Sequence, residues 1–382
     1  MPPQPTLAPP PERRSARIAS IDSLRGCVMI LMVLDHTRGF FTNRAFNPVD
    51  LTQTFPALFF TRWITYFCAP VFFLLAGSSA YLSGLRRTRA ELSRFLVTRG
   101  LWLAFLDMTF LNWFAWSDTF SMHHYLAVVF WALGWSMVVL AGLVWLPIWA
   151  IGVIGGAVCI GHNLLDSVTP ESFGSLAWLW RFLYAGGRIE MPGNVQLDIM
   201  YRLIPWAGVM ALGYACGPLF QIDSARRRGA AFRTGLALIA LFIAIRFLNQ
   251  YGDPSPWSPQ KNRLFTVMSF LNCTKYPPSL DFLLMTLGPA LLLLSLVERE
   301  PEPFLKPVQL FGHVPLFFFL LHLPLARVAA TIAKSFHAPA YSGYGLVGVY
   351  VAWITIVLLL YAPCRAFAAL KQRNKSRWLS YL

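Results

Sequence analysis

Apolar segments long enough to cross a lipid bilayer recur along almost the whole chain. A helical crossing needs about 20 mostly apolar residues, and runs of about that length alternate here with polar segments. The fold class this predicts is an all-α integral membrane protein, a bundle of about ten transmembrane helices embedded in a lipid bilayer. The predicted spans are 24–41, 58–82, 95–114, 125–144, 147–161, 199–220, 231–249, 279–297, 308–330 and 345–364.

The composition excludes several other classes of protein. Only 13% of the residues are charged, against roughly 25% in soluble domains. The net charge of +15 does not indicate a nucleic-acid partner, because the basic residues lie between apolar segments without a nucleic-acid motif. The six cysteines form no CxxC pair, so we predict no metal site and no disulfide framework. Nucleophile-elbow, P-loop and dinucleotide motifs are absent.

The distribution of Lys and Arg predicts the orientation and the domain organisation. With both termini in the cytoplasm, the inside segments hold 19 of these residues and the outside segments nine, as the positive-inside rule requires. One membrane domain, 17–370, then follows a proline-rich cytoplasmic tail, 1–16, that we expect to be disordered. A basic cytoplasmic tail, 371–382, ends the chain. Two long loops, 162–198 and 250–278, lie outside, where loops of this length are often functional.

Ionisable side chains interrupt the first span, SIDSLRGCVMILMVLDHTRGFF. Arg25 and His36 are eleven residues apart, about 20° past three full turns, so they share one helix face roughly 16 Å apart along the axis. Asp22 lies on the same face. Each charge within a membrane costs about 2.5–3.5 kcal/mol, so such residues normally face a bundle interior or a wet cavity. The alternative is that Asp22 caps the helix and the side chain of Arg25 snorkels to the lipid headgroups. This alternative does not explain His36.

Polar residues also cluster in the outer loops and near the end of the chain. GHNLLDS places His162, Asn163 and Asp166 after the short fifth span, where a histidine beside a carboxylate can act as a general base. An interfacial helix end is the alternative. TKYPPSLDF supplies Lys275 and Tyr276, as an acceptor site or as interfacial anchors. His322 lies within the ninth span, where it is either functional or hydrogen-bonded to a neighbouring helix.

These residues carry a resemblance to known families. An Arg, ten residues and a His on the first helix resemble the signature of the membrane-bound acyltransferase-3 family. RIASIDSLRG followed by TRWITYFCAPVFFLLAGSSAYL is similar to bacterial relatives of heparan-alpha-glucosaminide N-acetyltransferase. In those relatives GHNLLD, YRLIPWAGVMALGY, LNCTKYPPSL and VPLFFFLLHL also have counterparts. The resemblance covers most of residues 17 to 330.

The resemblance implies an acyltransferase of the bacterial cytoplasmic (inner) membrane. Its co-substrate would be acetyl-CoA or another acyl-CoA, and its acceptor an extracytoplasmic carbohydrate; no metal is needed, and a homodimer is one arrangement the sequence allows. Either His36 or His162 would be the base, since the chain lacks a clear copy of the sequence around the far-side histidine of the lysosomal enzyme. The catalytic candidates are His36, Asp35, His162 and Asp166, and the substrate-binding candidates are Asp22, Arg25, Asn163, Lys275, Tyr276 and His322. A proton-coupled transporter of a small solute is the alternative, although we find no internal repeat.

Overall fold

A computed structural model describes residues 19–42, 46–116, 123–298, 305–336 and 343–374. The tail predicted at 1–16 and most of the tail at 371–382 lie outside the described residues. The helices are α1 (Ala19–Phe41), α2 (Pro56–Trp63), α3 (Cys68–Gly84), α4 (Arg89–Leu106), α5 (Val129–Leu143), α6 (Ile148–Gly161), α7 (Ala177–Trp180), α8 (Leu203–Ala215), α9 (Ser224–Leu248), α10 (Arg263–Leu271), α11 (Leu280–Val297), α12 (Lys306–His313), α13 (Pro315–Ser335) and α14 (Leu346–Arg373).

Each of the ten predicted spans contains a helix, and the all-α membrane fold is confirmed. Among the described residues, seven helical stretches are long and apolar enough to cross a bilayer: Pro56–Gly84, Ile148–Leu165, Leu203–Gln221, Ser224–Leu248, Leu280–Val297, Pro315–Ser335 and Leu346–Arg373. A turn of 3₁₀-helix, Ile64–Phe67, joins α2 to α3. The short fifth span is one of the seven, because a 3₁₀ turn, His162–Leu165, extends α6.

The first helix is central to the bundle. It packs against α3, α11, α12, α13 and α14. Gly26 of α1 and Gly312 of α12 allow the closest of these approaches, since a β-carbon on Gly26 would overlap the carbonyl oxygen of Val308, and one on Gly312 that of Asp22. Small residues permit this backbone contact between membrane helices. The polar side chains of α1 therefore face other helices rather than lipid.

A three-stranded sheet is formed by the segments that precede α5 and α8. Strand β3 (Val195–Ile199) pairs in parallel with β1 (His124–Ala127) and antiparallel with β2 (Gly187–Met191). The predicted span 125–144 therefore begins too early: its first residues are in β1, and the helix begins at Val129.

A buried arginine organises the loop that follows α9. Arg246 is 1% exposed, and its guanidinium donates to the carbonyls of Ser255, Ser269, Phe270 and Asn272 at 3.0–3.3 Å. Two carboxylates, Asp253 and Asp281, lie 3.9 and 3.6 Å from the same guanidinium. Asp253 in turn accepts from the backbone N–H of Thr274 at 2.7 Å and from the hydroxyl of Ser279 at 2.6 Å. The segment between these two residues is thus fixed in position.

Candidate active site

Two histidines from distant parts of the chain are in direct contact inside the bundle. Nδ1 of His36 on α1 lies 2.7 Å from Nε2 of His322 on α13, and the rings stack with centroids 5.0 Å apart. Nδ1 of His322 lies 3.2 Å from the carbonyl oxygen of Phe318. A carbonyl only accepts, so Nδ1 of His322 carries the proton and its Nε2 accepts one from Nδ1 of His36. In the neutral pair, the lone pair of His36 is therefore on Nε2.

This contact changes the interpretation of His322. The sequence suggested substrate binding, but His322 is fully buried and both of its ring nitrogens bond to protein atoms. We interpret it as a positioning residue that fixes the tautomer and orientation of His36. The alternative for this residue, a hydrogen bond to a neighbouring helix, is present in the structure, while substrate binding by His322 stays a prediction.

A cavity of about 380 Å³ lies beside α1 on the side of Arg25. Its lining combines basic side chains with apolar ones, among them Phe130 and Phe319, whose ring centroids are 4.1 Å apart. Phe319 also contacts His36 and His322 edge-on, so one ring that lines the cavity touches the histidine pair. The basic lining residues are Arg25, Arg99, His313 and Lys371.

Arg25 is held at the cavity wall by several partners. Its guanidinium donates to Asp22 at 3.1 Å, to the hydroxyl of Ser79 at 3.0 Å and to the carbonyl of Gly312 at 3.1 Å. Asp22 also lies 3.1 Å from His313. These bonds tie α1 to α3 and α12, so Arg25 is not a residue that merely snorkels to headgroups. Asp22 orients Arg25 and pairs with His313, and both of these partners line the cavity.

Asp35 belongs to a cluster of charges at the opposite end of α1. Both of its carboxylate oxygens accept from Arg62 on α2, and Arg38 donates to it at 3.0 Å. Lys275 and Tyr276, predicted to bind substrate, belong to the same cluster: the Lys275 ammonium lies 5.2 Å from the ring centroid of Tyr66 and 5.3 Å from that of Tyr276. The structure thus joins Asp35, Lys275 and Tyr276, which the sequence had left separate.

His162, Asn163 and Asp166 form their own group, joined by Tyr184. Nδ1 of His162 lies 3.3 Å from the Tyr184 hydroxyl, which donates to Asp166, so tyrosine stands where the sequence suggested a direct histidine–carboxylate pair. Asn163 donates to Asp166 at 2.8 Å and accepts from the backbone N–H of Leu280 at 2.9 Å. His162 is 2% exposed. These bonds tie the outer loop to α11, while the catalytic role of His162 stays a prediction.

Asp107, at the end of α4, is bonded to the backbone at the start of α5 and not to Arg25 or His36. Its carboxylate accepts from the backbone N–H groups of Val128 and Trp131, both at 2.9 Å. It therefore caps the first turn of α5, where the helix leaves N–H groups unpaired. Within the described residues, no three His, Cys, Asp or Glu side chains are grouped as a metal site.

The comparisons with known proteins identify the family. The model of the acyltransferase-3 family (Acyl_transf_3), described as "Acyltransferase domain", matches residues 18–361, nearly the whole chain. A search of the curated proteins finds no match. The matched region contains α1 with the histidine pair, the cavity and both outer loops. With multiple apolar helices in addition, the chain is a multi-pass membrane acyltransferase that belongs to the acyltransferase-3 family.

Proposed function

We propose that the protein transfers an acyl group, acetyl in the simplest case, from a cytosolic acyl-CoA to a hydroxyl or amine of an extracytoplasmic carbohydrate. The observation that carries this proposal is the cavity, whose lining includes basic side chains together with Phe319, a ring that contacts His36. Its volume of about 380 Å³ falls in the range of small-molecule sites. The resemblance to bacterial relatives of heparan-alpha-glucosaminide N-acetyltransferase supports the acetyl group and the sugar.

The basic side chains of the cavity suit a phosphorylated donor. Arg25, Arg99 and Lys371 line it together with His313, and arginine binds phosphate with a planar pair of N–H groups. The thioester would then extend along the apolar part toward Phe319. In this proposal that ring turns aside to let the thioester reach His36, because Phe319 lines the cavity and contacts the histidine.

His36 is the base in this proposal. Its Nε2 takes the proton from the acceptor hydroxyl or amine as the oxygen or nitrogen attacks the thioester carbonyl. The tetrahedral intermediate collapses by breaking the carbon–sulfur bond, and the thiolate of CoA takes the proton from Nε2. His322 holds the Nδ1–H of His36 throughout, which stabilises the imidazolium that forms.

The membrane orientation belongs to the same proposal. We place both termini in the cytoplasm of a bacterial cell, with the protein in the cytoplasmic (inner) membrane. The cavity end of α1 then faces the cytosolic donor, and the end with Asp35 and the outer loops faces the acceptor.

The test uses purified protein in detergent with radiolabelled acetyl-CoA and a panel of carbohydrate acceptors. We expect release of CoA and transfer of label for the wild type, and neither above background for His36→Ala. Arg25→Lys should raise the KM for acetyl-CoA, because an ammonium cannot supply the planar pair of donors. Label accumulating inside proteoliposomes with no CoA released would instead indicate transport.

A further inference from the structure

Two cations lie against one aromatic ring next to the proposed base. The guanidinium carbon of Arg62 and the ammonium of Lys275 are each 5.2 Å from the ring centroid of Tyr66. Both groups, and Arg38, interact electrostatically with Asp35 and His36. Positive charge is therefore gathered at the end of α1 opposite to Arg25. Like charges held together in a poorly solvated place repel strongly.

These cations carry more positive charge than the neighbouring carboxylate can neutralise. Asp35 accepts from both Arg62 and Arg38, so its oxygens are already engaged. Among the described residues, no carboxylate or other hydrogen-bond acceptor contacts the ammonium of Lys275. Three cations thus surround a single carboxylate. A buried cation without a counter-ion is costly, so we look for an anion from outside the chain.

The position of Lys275 excludes the ordinary explanation for a membrane lysine. A snorkelling lysine exposes its ammonium to headgroups, but Lys275 is only 8% exposed. The backbone beside Lys275 is fixed, because Asp253 holds Thr274, its neighbour in the chain, by both the backbone N–H and the hydroxyl. Asp35 and Arg62 keep side-chain exposures of 18% and 15%. A small ligand can therefore reach the cluster.

Tyr276, outside the membrane-spanning segments, reports the local potential. Burial raises the pKa of its hydroxyl, but Lys275, Arg62 and a hydrogen bond with Tyr201 together lower it further, so that it lies below its usual value. Lys275 and Arg62 are the two largest of the lowering causes, so both cations act on this hydroxyl. An anion arriving here is attracted for the same reason.

We propose that Arg62 and Lys275 form a subsite for an anionic group, a phosphate or carboxylate, carried by the acyl acceptor. This inference rests on the proposed function and narrows its acceptor to an acidic or phosphorylated carbohydrate. The anion binds between the two cations by charge-assisted hydrogen bonds, and a neighbouring hydroxyl or amine of the same molecule then lies toward His36. The source of the anion is either a sugar acid or sugar phosphate or the headgroup of a lipid.

Binding is measured first, because it does not depend on turnover. The thermal midpoint of purified protein is followed in detergent with glucose 6-phosphate, glucuronate or glucose, at constant ionic strength. We expect the two anions to stabilise the wild type and glucose to have no effect. Lys275→Gln should weaken the apparent affinity for the anions by about 10- to 100-fold, the range for a hydrogen bond to a charged group. Lys275→Arg should keep most of the wild-type affinity for the anions, because it keeps the positive charge.

Lys261→Gln is the matched control. Lys261 is an exposed lysine of the same loop that lies over Phe265, so this variant removes an equal charge and should bind the anions as the wild type does.

The lipid source of the anion is examined by adding phosphatidylglycerol or phosphatidylcholine to the micelles. Competition of phosphatidylglycerol with glucose 6-phosphate assigns the subsite to a headgroup; binding of glucose 6-phosphate without competition assigns it to a soluble sugar.

Two results would overturn the proposal: no stabilisation of the wild type by either anion, or equal anion affinity in Lys275→Gln and Lys261→Gln. Release of CoA from acetyl-CoA, with water as the acceptor, tests the enzyme separately. If CoA is released but no anion binds, the proposed acyltransferase activity is supported and the proposed anion subsite is wrong. If anions bind at Lys275 but CoA is never released, the proposed donor is wrong and the subsite stands.

Discussion

His36 and His322 are 286 positions apart in the chain, yet their ring nitrogens are 2.7 Å apart, so one histidine sets the protonation pattern of the other. We expect His322→Leu to lower kcat by at least about tenfold and to leave the KM for acetyl-CoA unchanged. The loss should be smaller than the ~10²–10⁴-fold effect of removing a general base. His322→Gln should restore part of kcat, because a glutamine carbonyl can accept from Nδ1 of His36. Equal kcat in both variants would show that only packing matters at this position.

The two candidate bases are distinguished by their variants. His36→Ala should abolish transfer while acetyl-CoA still binds. His162→Ala should change kcat less than tenfold and lower the thermal midpoint, because His162 is buried against Tyr184 in the network that ties the loop to α11. Single-turnover rates and CoA affinities decide the matter. A dead but thermally unchanged His162→Ala variant would move the base to the outer loop.

The cavity can be filled from α3. Ala76 lines it, so Ala76→Leu should raise the KM for acetyl-CoA about tenfold or more while the fold is retained. Ala237→Leu, on an exposed face of α9, adds the same side chain away from the cavity and should leave KM unchanged. Unaltered KM in Ala76→Leu would place the donor elsewhere.

We interpret Arg246 as a residue that stabilises the loop after α9. Arg246→Met removes a buried guanidinium and leaves Asp253 and Asp281 without their counter-charge; breaking such a buried pair costs about 3–5 kcal/mol. We expect a clear fall in the thermal midpoint. Arg233→Met, on an exposed part of the same helix, should change it little. A midpoint equal to that of the wild type would mean that Arg246 is dispensable for the loop.

Topology remains to be measured by cysteine labelling. In a background without native cysteines, an impermeant reagent outside the cell should modify new cysteines in 163–198 and 250–275. It should not modify those in 84–94 or 366–382. The opposite pattern would reverse the proposed sides of donor and acceptor.

Features set by local sequence could be predicted, and features set by contact between distant segments could not. The spans follow from runs of apolar residues, and the shared face of Arg25 and His36 follows from helix geometry. Nothing local indicates that His322 faces His36 or that Arg62 faces Asp35. The partners of Asp107 could not be predicted for a second reason. They are backbone N–H groups at the start of α5, and a pattern of side chains does not reveal such partners.

The continuous helix α1 fixes the distance between the two groups that a donor has to reach in the proposed reaction. Both residues lie on this one helix, so the separation of Arg25 and His36, about 16 Å along the axis, is set by the helical rise, while Gly26 and Gly312 allow close packing of the helix against α12. For the proposed reaction, a donor has to carry its anionic group and its reactive carbon at opposite ends of a long flexible arm. A compact acyl phosphate, in which phosphate and carbonyl are adjacent, is too short to touch both ends, so we expect it not to serve as a donor in the proposed reaction.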